Sequence, residues 1–163
     1  MTKLTFLPNI ALKYNNKKQP INKNSNMKKT FPLHYGLTRT GLPLIVVNIF
    51  NHNLCLLIDT GSTQNLLDKR VYEYFKENIT VCSNSELIGI DGIKQSAERV
   101  NLNFSFEGTE YSSQFTIFDT TLAFHQIEKD SDIKIHGILG NEFLLENEWV
   151  IDYEKLHIQY TSF

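Results

Sequence analysis

The stretch that most constrains this chain is residues 54–62, Leu54-Cys55-Leu56-Leu57-Ile58-Asp59-Thr60-Gly61-Ser62. An unbroken apolar run meets a carboxylate, and a Thr-Gly-Ser turn follows. A run of this kind, with no polar alternation, reads as a strand buried on both faces. An ionisable Asp at the end of such a strand is costly unless its charge is hydrogen-bonded or put to chemical use. Gly61 permits a tight turn that brings backbone N–H groups toward the carboxylate. Thr60 and Ser62 supply hydroxyls that can orient it. Turns favour Asp and Gly in any case, so the motif alone leaves a plain strand end and a catalytic carboxylate both open.

A chain of 163 residues with 41% hydrophobic content, seven Tyr and eleven Phe fits one globular, β-leaning domain. Its net charge of −2 hides a division. Residues 1–58 hold seven Lys, one Arg and no acid, whereas residues 59–163 hold all 18 acids against eight Lys and Arg, a net of −10. Residues 14–29 are polar, basic and nearly free of core-forming side chains, the composition of a flexible arm or linker. Residues 1–30 are therefore expected to be a basic, flexible N-terminal arm, and residues 31–163 the folded domain. Such an arm can touch nucleic acid electrostatically. Without interleaved aromatic residues or a nucleic-acid-binding fold, it does not argue for that partner.

Cys55 and Cys82 do not make a disulfide framework, and Cys55 inside the apolar run reads as a small core residue. Five scattered His show no ligand spacing, so neither a metal site nor a cofactor is expected. Thr5, Pro8 and Asn9 interrupt what would be the apolar core of a signal peptide. Asn48 and Asn51-His52-Asn53 break the best candidate for a membrane span, which needs about 20 apolar residues. The expectation is a soluble, cytoplasmic protein without a membrane partner.

Residues 42–50 are apolar and β-branched, and a polar turn at Asn51-His52-Asn53 returns them as a hairpin with residues 54–59. Asn65-Leu66-Leu67-Asp68 resumes the chain, and residues 68–77 carry a short amphipathic helix with Val71 and Phe75 inward and Tyr72 beside them. A second hairpin spans residues 86–106. Its tip, Gly89-Ile90-Asp91-Gly92, places two glycines around one Asp and by itself reads as a surface turn. A turn at 107–110 leads into a strand at 111–118 that alternates Tyr111, Ser113, Phe115 and Ile117 against polar neighbours.

Residues 119–134 are ambiguous: Leu122, Ala123 and Phe124 can pack, while residues 128–134 read as a charged loop. Ile135-His136-Gly137-Ile138-Leu139-Gly140 reads as a short buried strand that opens into one or two helical turns at 141–147. A closing hairpin of residues 149–153 and 156–160 follows. No internal repeat is present. Asp119-Thr120-Thr121 is the nearest approach to a second Asp-Thr-Gly, and it lacks the glycine.

This order of apolar hairpin, Asp-Thr-Gly-Ser, glycine-rich hairpin, Ile-Leu-Gly, short helix and terminal strand resembles the retropepsin-like aspartic proteases. These are the single-domain relatives of the retroviral proteases and of one pepsin lobe. The match covers roughly residues 42–160. The resemblance implies a mostly β fold, a closed retropepsin-like β-barrel forming a single acid-protease lobe with one short C-terminal helix. It implies that Asp59 is the catalytic aspartate and that the Thr60 hydroxyl bonds across to a partner lobe. The Gly61 N–H would serve the carboxylate, and the Ser62 hydroxyl would bond its outer oxygen. Ile138, Leu139 and Gly140 would thread beside the catalytic loop and buttress it. Gly89, Ile90, Asp91 and Gly92 would form the flap over a bound peptide. The basic arm, the Asp at the flap tip and the longer segment at 119–136 depart from the family pattern.

Amide hydrolysis without a metal or a covalent intermediate needs a base for water and an acid for the leaving nitrogen. Two adjacent carboxylates sharing one proton supply both. With one Asp-Thr-Gly per chain, the second carboxylate must come from a second copy across a two-fold axis. The expected function is a homodimeric aspartic endopeptidase acting on peptide or protein substrates. By resemblance to the family's interdigitated termini, the hairpin at 149–160 is expected in the interface, a plain core strand being the other reading. The alternative from another class is a non-catalytic dimeric module of the same fold that holds an extended peptide without cutting it. The intact Asp59-Thr60-Gly61-Ser62 favours catalysis.

Overall fold

The computed structural model describes residues 27–88 and 94–162. In chain order, β1 (Met27–Pro32), α1 (His34–Thr40), β2 (Leu44–Ile49) and β3 (His52–Ile58) lead to the Asp-Thr-Gly turn. Then come β4 (Leu66–Asp68), α2 (Lys69–Phe75), β5 (Val81–Ile88), β6 (Lys94–Phe106) and β7 (Thr109–Phe118). The fold ends with α3 (Thr121–Ser131), β8 (Gly137–Leu139), α4 (Asn141–Glu146), β9 (Val150–Asp152) and β10 (His157–Ser162).

β2 and β3 are joined by Phe50-Asn51, with φ of 50° and 64°. Both residues are left-handed, as a two-residue turn must be to follow the twist of its strands. The turn is thus shorter than the expected Asn51-His52-Asn53. His52 and Asn53 pair with Ile49 and Asn48, and Asn48 Nδ2 donates to Asn53 Oδ1 at 3.2 Å. β6 and β7 close in the same way through Glu107 and Gly108, with φ of 49° and 77°.

β3 pairs with β2 on one edge and, in parallel, with β8 on the other. β8 therefore threads between β3 and β4, running antiparallel to β4. β4 pairs with β7 and β7 with β6, and β6 reaches back to β2 at Asn48 and Ser105. The ring β2-β3-β8-β4-β7-β6 closes as a barrel, and β5 extends the sheet beyond β6.

Alternate residues of β3 enter different cores, which explains its unbroken apolar run. Leu54, Leu56 and Ile58 join the barrel interior. Cys55 and Leu57 join a second cluster with Ile133, Ile135, Ile138 and Phe124 of α3. α3 thus covers the outer face of the strand, and residues 128–131 are helix where a charged loop was expected. Phe124 is buried and Ile127 packs beside it, three residues on along the same helix face. Leu122, two residues before Phe124, falls on the other side and is 92% exposed instead of packing.

α1 is not legible in the sequence, because Gly36 at its centre lowers helix propensity. In the fold Gly36 is buried against β2, where a Cβ would come within 2.8 Å of the Leu44 nitrogen. The folded region also begins earlier than residue 31. Residues 27–30, expected in the arm, belong to β1, which pairs with β10 from Met27 opposite Ser162 to Pro32 opposite His157. Pairing uses backbone groups, so an edge strand can carry exposed lysines such as Lys28 and Lys29.

The sheet β1-β10-β9 and α4 are fastened to the barrel by aromatic rings. Phe31 meets Phe106 at 5.0 Å, Phe106 meets Tyr160 at 5.1 Å, and Phe143 meets Trp149 at 5.0 Å between centroids. Such pairs add about 0.5–1.5 kcal/mol each beyond area burial. Trp149, Ile158 and Tyr160 are thereby buried in the core, and β10 carries β1 on one edge and β9 on the other. These three side chains are core residues of their own chain, while Val150 and Tyr153 of the same hairpin are exposed. Among the described residues, no helix is long and apolar enough to cross a membrane.

Candidate active site

β3 delivers Asp59 to the barrel mouth, and β8 fixes it there: the Asp59 N–H donates to the Leu139 carbonyl at 3.0 Å. The chain then turns sharply, with Ser62 N–H donating to the Asp59 carbonyl at 3.2 Å. Within that turn the Gly61 N–H donates to Asp59 Oδ1 at 2.8 Å, as expected of it. The Asp59 carboxylate is half-buried, and Thr60 and Gly61 are exposed. The Ser62 hydroxyl does something else than expected. It donates to the Gln64 carbonyl at 2.7 Å, and a hydroxyl has one proton to give.

β8 and the start of α4 back this turn closely. The Asn141 and Glu142 N–H groups, which have no partner inside their helix, donate to the Ser62 and Thr63 carbonyls at 2.8 and 3.2 Å. Asn141 Nδ2 donates to the Thr60 carbonyl at 2.7 Å. Gly140 sits so close that a Cβ would lie 2.8 Å from the Ser62 oxygen and overlap the Gln64 carbonyl. Ile138 and Leu139 are buried on the two sides of β8, one in each core. The structure thus brings together Asp59, Thr60, Gly61, Ser62, Ile138, Leu139 and Gly140. Gly89, Ile90, Asp91 and Gly92 lie outside the described residues; β5 and β6, which flank them, pair through Ile88 and Lys94.

Two residues beside the motif are more engaged than the sequence suggests. Asn65 is fully buried. Its Oδ1 accepts the Gly140 N–H at 2.9 Å, and its Nδ2 donates to Ser113 Oγ at 3.0 Å and the Gln114 carbonyl at 2.9 Å. The Gln64 side chain bonds Ser85, Glu86 and Thr116. The available signal was polarity: two amides interrupt the chain before Leu66-Leu67, and a buried amide must find partners.

A cleft of about 290 Å³ opens beside Asp59. Its walls are Gly41, Leu42, Pro43, Leu57, Ile58, Thr60 and, from the turn after β9, Tyr153. Asp59 is the one carboxylate on it among the described residues.

Behind the site lie two buried polar groups. Asp68 caps α2 and receives two guanidinium bonds from Arg70 at 2.8 and 3.0 Å, together with the Thr120 hydroxyl. Burial alone would raise its pKa, but those bonds outweigh it and hold the carboxyl below its ordinary value. His136 Nδ1 accepts the Cys55 N–H at 3.0 Å, joining the approach to β8 to β3. Burial, with Lys134 adding to it, pushes the His136 pKa down to about 4, so the ring is neutral.

No protein-family model and no curated protein matches the chain. Among solved structures, it is similar to the retroviral protease-like domain of Ddi1 from Leishmania major, with a TM-score of 0.50 and 13% identity over 73% of this chain and 93% of that one. It is likewise similar to a retropepsin-like aspartic protease from Rickettsia conorii, with a TM-score of 0.50 and 14% identity over 85% of this chain and 94% of that one. At these identities the likeness speaks for architecture, and it agrees with the threaded β8 and the closed barrel. The chain has a retropepsin-like fold.

Proposed function

We propose that the protein is an aspartic endopeptidase that works as a homodimer, Asp59 of each chain providing half of a two-carboxylate site. The observation that carries this reading is the Asp59 carboxylate itself. It stands at the end of a buried strand, oriented by the Gly61 N–H and open to a cleft. Other acids near turns lack the glycine two residues on, where Thr121 follows Asp119, Glu154 follows Asp152 and Arg70 follows Asp68. Asp119 Oδ1 accepts from Thr121 N–H at 3.0 Å, Asp152 Oδ1 from Lys155 N–H at 2.9 Å, and Asp68 is held by Arg70. The second carboxylate therefore comes from a second copy related by a two-fold axis.

In the mechanism, the charged Asp59 takes a proton from water as the water oxygen attacks the scissile carbonyl carbon. The protonated Asp59 of the other chain gives its proton to the carbonyl oxygen. The resulting diol collapses when one of its hydroxyl protons returns to that second carboxylate. The first carboxylate then protonates the amide nitrogen, and the C–N bond breaks. The exposed Thr60 hydroxyl reaches the other lobe, while Ile138, Leu139 and Gly140 hold the turn. Gly89, Ile90, Asp91 and Gly92 cover the peptide, as the resemblance implies.

The test is a diverse peptide library offered to wild type and to Asp59→Asn at several pH values. Cleavage by wild type alone is expected. Peptide binding without cleavage by wild type would instead support a non-catalytic peptide-binding module, and cleavage by folded Asp59→Asn would remove Asp59 from the chemistry.

A further inference from the structure

β5 is the outermost strand of the large sheet, paired with β6 along one edge. An edge strand held on one side is the least restrained part of a sheet. One side chain reaches it from the direction of the active-site turn. Gln64 Nε2 donates to the Glu86 carbonyl at 3.3 Å, and Gln64 Oε1 accepts the Ser85 hydroxyl at 3.1 Å. The same oxygen accepts the hydroxyl of buried Thr116 on β7 at 2.7 Å. The amide is consistent in one orientation, with two hydroxyls on its oxygen and a carbonyl facing its nitrogen. Because the Gln64 carbonyl also receives the Ser62 hydroxyl, one residue connects the Asp59 turn to β7 and to β5.

We infer that Gln64 is a positioning residue: it fixes β5 against the Asp59 turn, and so sets where a peptide held on the β5 side lies relative to the carboxylate. The first half stands on the geometry alone, and the second rests on the peptidase reading above.

Hydrogen exchange on peptides covering residues 81–88 tests the first half, comparing wild type, Gln64→Leu, Gln64→Glu and Ser85→Ala. Losing these bonds is expected to speed exchange there about tenfold in Gln64→Leu, with residues 44–58 unchanged. Gln64→Glu keeps the acceptor for both hydroxyls and is expected to fall between. Ser85→Ala is expected to give a smaller effect and none beyond Gln64→Leu when the two are combined. Wild-type exchange at 81–88 in Gln64→Leu, or equal acceleration throughout the barrel, overturns the tie. Should Gln64→Leu fail to fold, wild-type exchange in both Gln64→Glu and Ser85→Ala has the same force.

For the second half, KM is expected to rise about fivefold in Gln64→Leu with kcat within about twofold, since binding geometry is altered and the carboxylates are not. An unchanged KM, or a loss confined to kcat, overturns it. If wild type binds peptides without cutting them, the peptidase reading fails by itself. Peptide Kd then replaces KM, and an unchanged Kd overturns the positioning role.

Discussion

Gly140 donates its N–H to the side-chain oxygen of Asn65 at 2.9 Å, joining two residues 75 positions apart in the chain. That bond holds the strand behind the Asp59 turn to the strand that leaves it. Asn65 spends its remaining donors on β7, and its carbonyl accepts the Thr116 N–H at 2.8 Å. Asn65→Ala strands the Gly140 N–H in the interior and is expected to destabilise the fold by about 3 kcal/mol. Urea unfolding measures this, and a cost under about 1 kcal/mol would show that the turn is held by other bonds. Gly140→Ala is expected to be at least as harmful, because the added methyl meets backbone oxygens that cannot withdraw.

Asp59→Asn retains an oxygen to accept the Gly61 N–H while removing the ionisable group. Peptidase activity is expected to fall at least about a thousandfold, with thermal stability close to wild type. Activity within about tenfold of wild type would leave the carboxylate without its proposed role.

Dimer dependence is checked by dilution. In the proposed two-chain site each chain provides half of the carboxylate pair, so specific activity is expected to drop below the dimer dissociation constant and to track the dimer seen by sedimentation. Adding excess Asp59→Asn chain should suppress wild-type activity beyond dilution, since each mixed dimer keeps one ionisable carboxylate. A monomer with full activity would rule out the two-chain site.

His136 makes stability depend on pH. Its pKa falls from 6.5 to about 4 on folding, through burial first and the Lys134 charge second. The unfolded chain therefore takes up a proton at a higher pH than the native state. The ring's contribution is complete above pH 6.5, declines as pH drops toward 4, and is lost below that. The loss across this window is about 3 kcal/mol. His136→Leu is expected to start less stable, because the Cys55 N–H loses its acceptor, but to show a flatter profile between about pH 6.5 and 4. Denaturant midpoints across that range decide it, and an equally steep decline in His136→Leu would assign the dependence to other groups.

The sequence by itself determined what is local. The apolar run of β3 and its end at Asp59, the alternation of β7, the short helix after Gly140 and the turn at Glu107-Gly108 all follow from periodicity and turn chemistry acting over a few residues. Asp59 and Gly61 were legible in this way as a strand end and its turn, whereas the place of Ile138-Leu139-Gly140 beside that turn was implied by the resemblance to the retropepsin-like proteases. Tertiary structure decided whatever depends on a distant neighbour. Residues 27–30 are a strand because β10 offers an edge to lysine-bearing backbone, and α1 forms despite Gly36 because β2 leaves no room for a side chain there. α3 forms because the outer face of β3 needs covering. The Ser62 hydroxyl turns away from Asp59, and Gln64 and Asn65 become junctions, because hydrogen-bond partners are chosen by proximity in space. Sequence spacing carries no record of which carbonyl, among segments far apart in the chain, comes within 3 Å of a given side chain.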